Sequence, residues 1–296
     1  MVASASAVDL PDGDALFLIA TTPAAQHWHP LSVDPDTAVT TSIGPATTLD
    51  GDAGQFQGHY DPASSRGYYV REYYDPTSGY SYSLASINPA TGAQTAVGQL
   101  VVNPGGAPSY PAGGPLAIGP AGAFFIGGQA LYRVNLATAV ATHVANITFS
   151  HPMRTASSFA YDAVTGAYHV IETGDAPRVY RIDVTNGSLV DLFYIGGAGS
   201  SVKSLQFDSE GNAWIIYRNE FEEPELVPRL TSFPFANISA WENRGFLTFG
   251  GDYLDLADSL LLVSGASDDS IFADGFEAQA TLLTVPEVEA EQLRRK

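Results

Sequence analysis

The chain has 296 residues, 45% of them hydrophobic and 11% aromatic, enough for one large all-β domain or two small ones. It contains no cysteine, which excludes disulfide frameworks, thiol nucleophiles and Cys-based zinc sites together. A formal net charge of −19, with Lys203 and Lys296 as the two lysines, gives a surface that repels phosphate backbones and argues against a nucleic-acid partner.

The N-terminal Met-Val-Ala-Ser-Ala-Ser-Ala lacks a charged n-region and an h-region. Its Ala-Ser-Ala matches the small-residue end of a signal peptide whose body has been removed, so the sequence predicts an exported protein, extracellular or periplasmic. No apolar run reaches the roughly 20 residues that cross a bilayer. A soluble monomer is expected.

Short runs of β-forming residues then alternate with Gly, Asn, Asp and Pro turn signals, the mark of strands joined by hairpins. Pairs of first and second strands read SAVDLPDGDALFLIAT, FQGHYDPASSRGYYVRE, PLAIGPAGAFFIGG, FAYDAVTGAYHVIE, SLQFDSEGNAWIIYR and YLDLADSLLLVS in chain order. Between them lie third and fourth strands: PLSVDPDTAVTTSIG, SLASINPATGAQTAVG, LYRVNLATAVATHVA, VYRIDVTNGSLVDLFYI and, less regular, PRLTSFPFANISAW and SIFADGFEAQATLLTV. The turn anchors of the latter set are Asp34, Asn88, Asn135, Asp183, Thr231 and Asp274, separated by 54, 47, 48, 48 and 43 residues. An Asp or Asn there can accept hydrogen bonds from the turn backbone ahead of it.

Six copies of a four-strand unit of about 47 residues, a length typical of propeller blades, predict one all-β domain over 1–285, a six-bladed β-propeller with four antiparallel strands per blade. Five or seven blades stay open, because the first and last units are the least regular and closure of the ring can mix N- and C-terminal strands. Residues 286–296 read as a tail, a short helix or disordered.

These units resemble the bacterial propellers with YRIDxxTG-type repeats, which include YncE-like, NHL and SMP-30-like proteins. Phe207-Asp208-Ser209-Glu210-Gly211-Asn212-Ala213-Trp214 is the fullest match, to the FDxxGNxW of that group. Near the C-terminus Ser270–Glu277, SIFADGFE, resembles a motif of exported proteins of Gram-negative bacteria.

In propellers, ligands usually meet the loops that lead into first strands and those that join second to third strands. By that fold-level analogy the first set presents His59, His151, Arg154 and Asp252, and the second presents Glu172, Asp175, Arg218, Glu220 and Asp268. His59 and His151 are candidate general bases near neutral pH. Glu172, Asp175, Glu220, Asp252 and Asp268 form a candidate acidic rim for Ca²⁺, which takes six to eight oxygen ligands. The competing reading is solvated loop charge. His27 and His29 lie at i and i+2, on one face of a strand, with no acidic partner beside them. His143 and His169 sit in alternating strands and read as structural.

The most unusual local composition is Tyr68–Tyr82, YYVREYYDPTSGYSY, with six tyrosines in 15 residues on a second-to-third-strand hairpin. Clustered tyrosines give rigid contact area with a polar tip. Tyr69, Tyr73, Tyr74 and Tyr80, with Arg154 and Arg218, are therefore the candidate ligand-binding residues, against cross-strand packing as the alternative. Two functions follow: a non-catalytic module that binds carbohydrate or protein, or a Ca²⁺-dependent hydrolase of lactonase or phosphatase type.

Overall fold

A computed structural model describes residues 9–264, apart from 23–24, 49–51, 78, 103–112, 175–176, 196–199, 220–226, 256 and 258. Its strands form five sheets, mostly antiparallel, in a ring. The innermost strands are Ser259–Val263 (blade 1), His59–Asp61 (blade 2), Leu116–Gly119 (blade 3), Ala156–Asp162 (blade 4) and Ser200–Phe207 (blade 5). Each packs beside the next, and blade 5 packs beside blade 1, so the circle closes.

The reason the second strands, such as Asn212–Asn219 of blade 5, are apolar through their middle is now visible. A radial blade has a neighbour on each face, so alternate side chains enter different interfaces. In blade 5 Trp214 and Ile216 pack against blade 1 with Leu16, Leu18 and Leu31. The intervening Ala213 and Ile215 pack against blade 4 with Ile171 and Val179. Five such clusters fill the five interfaces, the others being blades 3 and 4, blades 2 and 3, and blades 1 and 2.

The ring has five blades and not the six expected. Units two to five of the sequence are blades 2 to 5. The strand SLLLV, which reads as the second strand of a sixth unit, is instead the first strand of blade 1. It pairs antiparallel with Ala15–Thr22, Phe17 opposite Leu261 and Ala15 opposite Val263. Blade 1 is therefore completed by the C-terminal end of the described chain: three strands of the first unit, Ala15–Thr22, Ala25–Val33 and Val39–Ser42, take their innermost partner from the last. The sixth anchor, Asp274, lies outside the described residues. The fifth, Thr231, is buried inside the strand Arg229–Pro234 and is not a turn residue.

Four anchors do build the same turn. Asp34 Oδ1 accepts from the backbone N–H of Asp36 (2.9 Å), Asn88 Oδ1 from Ala90 (2.9 Å), Asn135 Oδ1 from Ala137 (2.9 Å) and Asp183 Oδ1 from Thr185 (2.8 Å). The fourth residue after each anchor has a left-handed backbone: Ala38 (φ 57°), Gly92 (65°), Ala139 (56°) and Gly187 (74°). At Ala38 and Ala139 the strain of a Cβ in that region is accepted where the methyl is fully buried between blades.

Four strands per blade holds for blades 4 and 5; blades 2 and 3 have five and blade 1 has seven. Some extra strands come from parallel stitches between neighbours. Val101–Val102, after blade 2, pairs with Val140 and Ala141 of blade 3, and Thr248–Phe249, after blade 5, pairs with Val39 and Thr40 of blade 1.

Candidate functional site

The tyrosine-rich stretch forms a long hairpin of blade 2, Arg66–Asp75 paired with Gly79–Ile87. Its register decides what each tyrosine does. Tyr69 opposite Ala85 faces blade 1 and is fully buried, its hydroxyl donating to Gln94 Oε1 at 2.5 Å. Further out on that face, Arg71 lies 5.0 Å over the Tyr73 ring. The opposite face starts in the interface with blade 3 at Val70 and Leu84. It continues outward through Glu72 opposite Tyr82 and ends at Tyr74 opposite Tyr80.

Tyr74 and Tyr80 are 50% and 60% exposed, with ring centroids 5.0 Å apart. Tyr82 packs on Phe56 at 6.1 Å. Burial raises the Tyr82 pKa, and the charge of Glu72 beside it and a hydrogen bond to that carboxylate raise it further, so Tyr82 stays a neutral donor. One hairpin face thus carries an aromatic ladder from the core to an exposed pair, with a carboxylate alongside. Of the four tyrosines expected to bind a ligand, Tyr74 and Tyr80 are surface platforms, Tyr73 is half-buried, and Tyr69 is core.

Of the five carboxylates expected to form an acidic rim, Glu172 and Asp252 are among the described residues, and they sit on different blades. Glu172 is fully buried at the end of the second strand of blade 4. Its carboxylate accepts from Ser150 N (3.1 Å) and Tyr180 Oη (2.6 Å), bonds Ser150 Oγ, and pairs with Arg154 Nη1 at 3.1 Å. Burial alone would raise its pKa. The bonds from Ser150 and Tyr180 and the Arg154 charge outweigh that and hold it below the ordinary carboxylate range. Burial, and then the same carboxylate, push the Tyr180 hydroxyl up to about 12. Glu172 and Arg154 therefore anchor the loop that crosses from blade 3 to blade 4, which also holds His151.

Asp252 is exposed on an outermost strand of blade 1, far along the sheet from the axis. The chain runs on from it to Ser259–Val263, the first strand of blade 1, but Asp252 itself sits at the outer end of that segment. Asp175, Glu220 and Asp268 lie outside the described residues. Among the described residues no three His, Asp or Glu side chains converge as ligands for a cation. Arg218, at the end of the second strand of blade 5, donates to Asp255 O at 2.7 Å. The structure does not bring Arg154, Arg218 and the tyrosine pair into contact.

The channel holds residues that carried no signal in the sequence. The inner strands present unpaired backbone groups toward the axis. Gln57, buried on the segment before His59, satisfies two of these edges at once. Its Nε2 donates to Phe159 O (2.9 Å) and Leu205 O (2.5 Å), and its Oε1 accepts from Phe159 N (3.0 Å) and Leu205 N (3.3 Å). The side chain acts as a peptide group shared by blades 4 and 5. Gln206 Nε2 likewise donates to Gly58 O and Leu260 O, both at 2.9 Å, joining blades 2 and 1. These two amides close the middle of the channel.

His59 sits at the other end from the loop of His151, with Nδ1 2.9 Å from Tyr60 O. Burial lowers its pKa, against smaller opposing effects of the Tyr60 and Tyr161 carbonyls and Asp61. Below the glutamines a cavity of about 380 Å³ opens at the channel mouth formed by the first hairpins.

No protein-family model and no curated protein matches the chain. Among solved structures it is similar to a periplasmic gluconolactonase from Pseudomonas aeruginosa, at 14% identity and a TM-score of 0.40 over 83% of this chain and 68% of that one. It is also similar to regucalcin, a calcium-binding protein from Agrobacterium tumefaciens (13%, 0.37, 62% and 71%), and to an oligogalacturonate lyase from Vibrio parahaemolyticus (10%, 0.37, 75% and 63%). Likeness at this level does not reach activity. The chain is a β-propeller of five blades, and among its described residues no helix is long and apolar enough to cross a membrane.

Proposed function

We propose that this propeller is an exported binding module whose ligand is a carbohydrate, held at the outer end of the blade 2 hairpin. The observation that carries the reading is the Tyr74–Tyr80 pair: two half-exposed rings, fixed 5.0 Å apart by direct cross-strand pairing, on a hairpin ordered by blade packing on both faces below. A sugar ring presents C–H groups to aromatic faces and hydroxyls to polar tips. Tyr74 and Tyr80 supply the first, and their own hydroxyls with Glu72 supply the second. Preformed geometry keeps the ordering cost of binding low. Export rests on Ala-Ser-Ala near the N-terminus and on SIFADGFE, and periplasmic or surface recovery on cell fractionation is expected.

Glycan-array screening followed by calorimetry tests the site. Each of Tyr74→Ala and Tyr80→Ala is expected to weaken binding about tenfold, the loss of one stacked ring. Both positions are exposed, so the melting temperature should hold. An array that stays blank, or a sugar whose affinity is the same in the Tyr74→Ala, Tyr80→Ala double variant, sinks the proposal. Capture of a protein at this pair, with the array blank, replaces carbohydrate by a protein partner.

A further inference from the structure

We propose that the cavity at the first-hairpin mouth of the channel is a second binding site, for a small organic cation of the alkylammonium type. The cavity is separate from the tyrosine hairpin, and the inference does not rest on the carbohydrate reading. Its walls combine apolar surface from Ile118, Phe207 and Leu262 with the half-buried ring of Tyr161.

Among the polar residues that line it, Gln206 and Asp61 offer acceptors, and Ser264 adds a hydroxyl that can accept or donate. Gln206 is 1% exposed and spends Nε2 on Gly58 O and Leu260 O. The hydrogen bonds of its side chain found among the described residues are both made by Nε2, which leaves Oε1 as an available acceptor. The Asp61 carboxylate takes Ala63 N at 3.2 Å and Ser64 Oγ at 2.7 Å, which leaves acceptor capacity on both oxygens. His59 is turned to the Tyr60 carbonyl. No Lys or Arg lines the cavity.

A carboxylate, an amide oxygen and an aromatic ring, set in apolar walls with no cation of their own, complement an ammonium group on a short hydrocarbon. The ammonium brings three donors and is attracted to an aromatic face. The same set is too poor in oxygen for Ca²⁺. The protein's net charge of −19 raises the local concentration of any cation at this mouth.

The test compares three probes of one size, n-butylammonium, n-butanol and butyrate, by titration of the ¹⁵N-labelled full chain. Butylammonium should shift the Gln206 side-chain amide and the Asp61, Ala63 and Ser64 amides saturably, binding at least about tenfold more tightly than butanol, with butyrate silent. Asp61→Asn keeps an acceptor for Ala63 N and should weaken butylammonium about tenfold. Ala163→Trp, at an exposed position on the rim, should fill the mouth and abolish the shifts while the fold persists. Absence of saturable shifts, equal affinity for butanol, or unchanged affinity in both folded variants overturns the proposal.

Discussion

Blades 4 and 5 solve the same problem with different residues. Each joins its first and second strands by a turn that starts at a buried aspartate, Asp162 or Asp208. In blade 5, Asp208 Oδ1 accepts from the backbone of Glu210 (3.0 Å) and Asn212 (2.8 Å), and Oδ2 from Asn212 Nδ2 and Trp214 Nε1, both at 3.0 Å. In blade 4, Asp162 Oδ1 accepts from Val164 and Thr165, and Oδ2 is taken by the Thr165 hydroxyl. The registers Phe207 opposite Ala213 and Tyr161 opposite Tyr168 put His169 where blade 5 has Trp214. His169 lies among Phe207 and Phe235, and neither ring nitrogen has a partner. The motif FDxxGNxW is thus a hydrogen-bonding unit centred on its aspartate, and the blade that departs from it leaves a buried imidazole unsatisfied.

The strongest way to break this contrast is to remove the aspartates. Asp208→Ala should cost about 4 kcal/mol, because it strands the indole N–H and two backbone donors; Asp162→Ala should cost about half as much. Guanidinium chloride midpoints of the two variants measure the difference.

The next effect belongs to blade 4 and depends on pH. Burial holds the His169 pKa at about 4 in the folded protein, against 6.5 in the unfolded chain. The unfolded state therefore binds a proton first as pH falls. The stability contributed by neutral His169 is complete above about pH 6.5 and is lost on the way to pH 4, amounting to roughly 3 kcal/mol. His169→Phe should flatten this part of the melting-temperature profile and stabilise by about 1 kcal/mol at pH 7, since two unpaired polar atoms disappear. A variant with the same pH profile as the parent would show that His169 is not the group responsible.

Trp214→Phe is smaller, about 2 kcal/mol, from one lost hydrogen bond and some lost volume in the blade 5 to blade 1 interface. Thermal melts at neutral pH suffice to see it. The smallest contrast lies at the turn glycines, both left-handed: Gly166 (φ 69°) and Gly211 (φ 82°). A Cβ on Gly211 would meet Val164 at 3.2 Å, whereas one on Gly166 has its nearest neighbour at 4.0 Å. Gly166→Ala should cost about 1 kcal/mol and Gly211→Ala more.

Such turns explain which parts of the fold were legible. Blades 2 to 4 could be delimited because their turn chemistry is local: Asn88, Asn135 and Asp183 each bond a backbone two residues ahead. The count of six failed because Ser259–Val263 carries no mark of its partner, which lies more than 230 residues earlier in the chain. The tyrosine hairpin stood out by composition, but separating Tyr69 from Tyr74 needs the cross-strand register and the distance from the core. Gln57 and Gln206 were invisible as chemistry. A glutamine neither titrates nor forms a motif, and the surroundings do not mark these two: Gln57 precedes the strand His59–Asp61, and Gln206 shares Ser200–Phe207 with Lys203 and three serines.

The closure of blade 1 has a consequence for how freely the chain can be rewired. Val263 faces Ala15 much as Tyr161 faces Tyr168 and Phe207 faces Ala213, where short turns connect the strands. Joining Ser264 to Asp14 by such a turn would leave every observed pairing in place. New termini could then be opened at a crossing between two other blades. Circular permutants cut there should reach the same ring, since the point where polypeptide synthesis starts is incidental to the architecture.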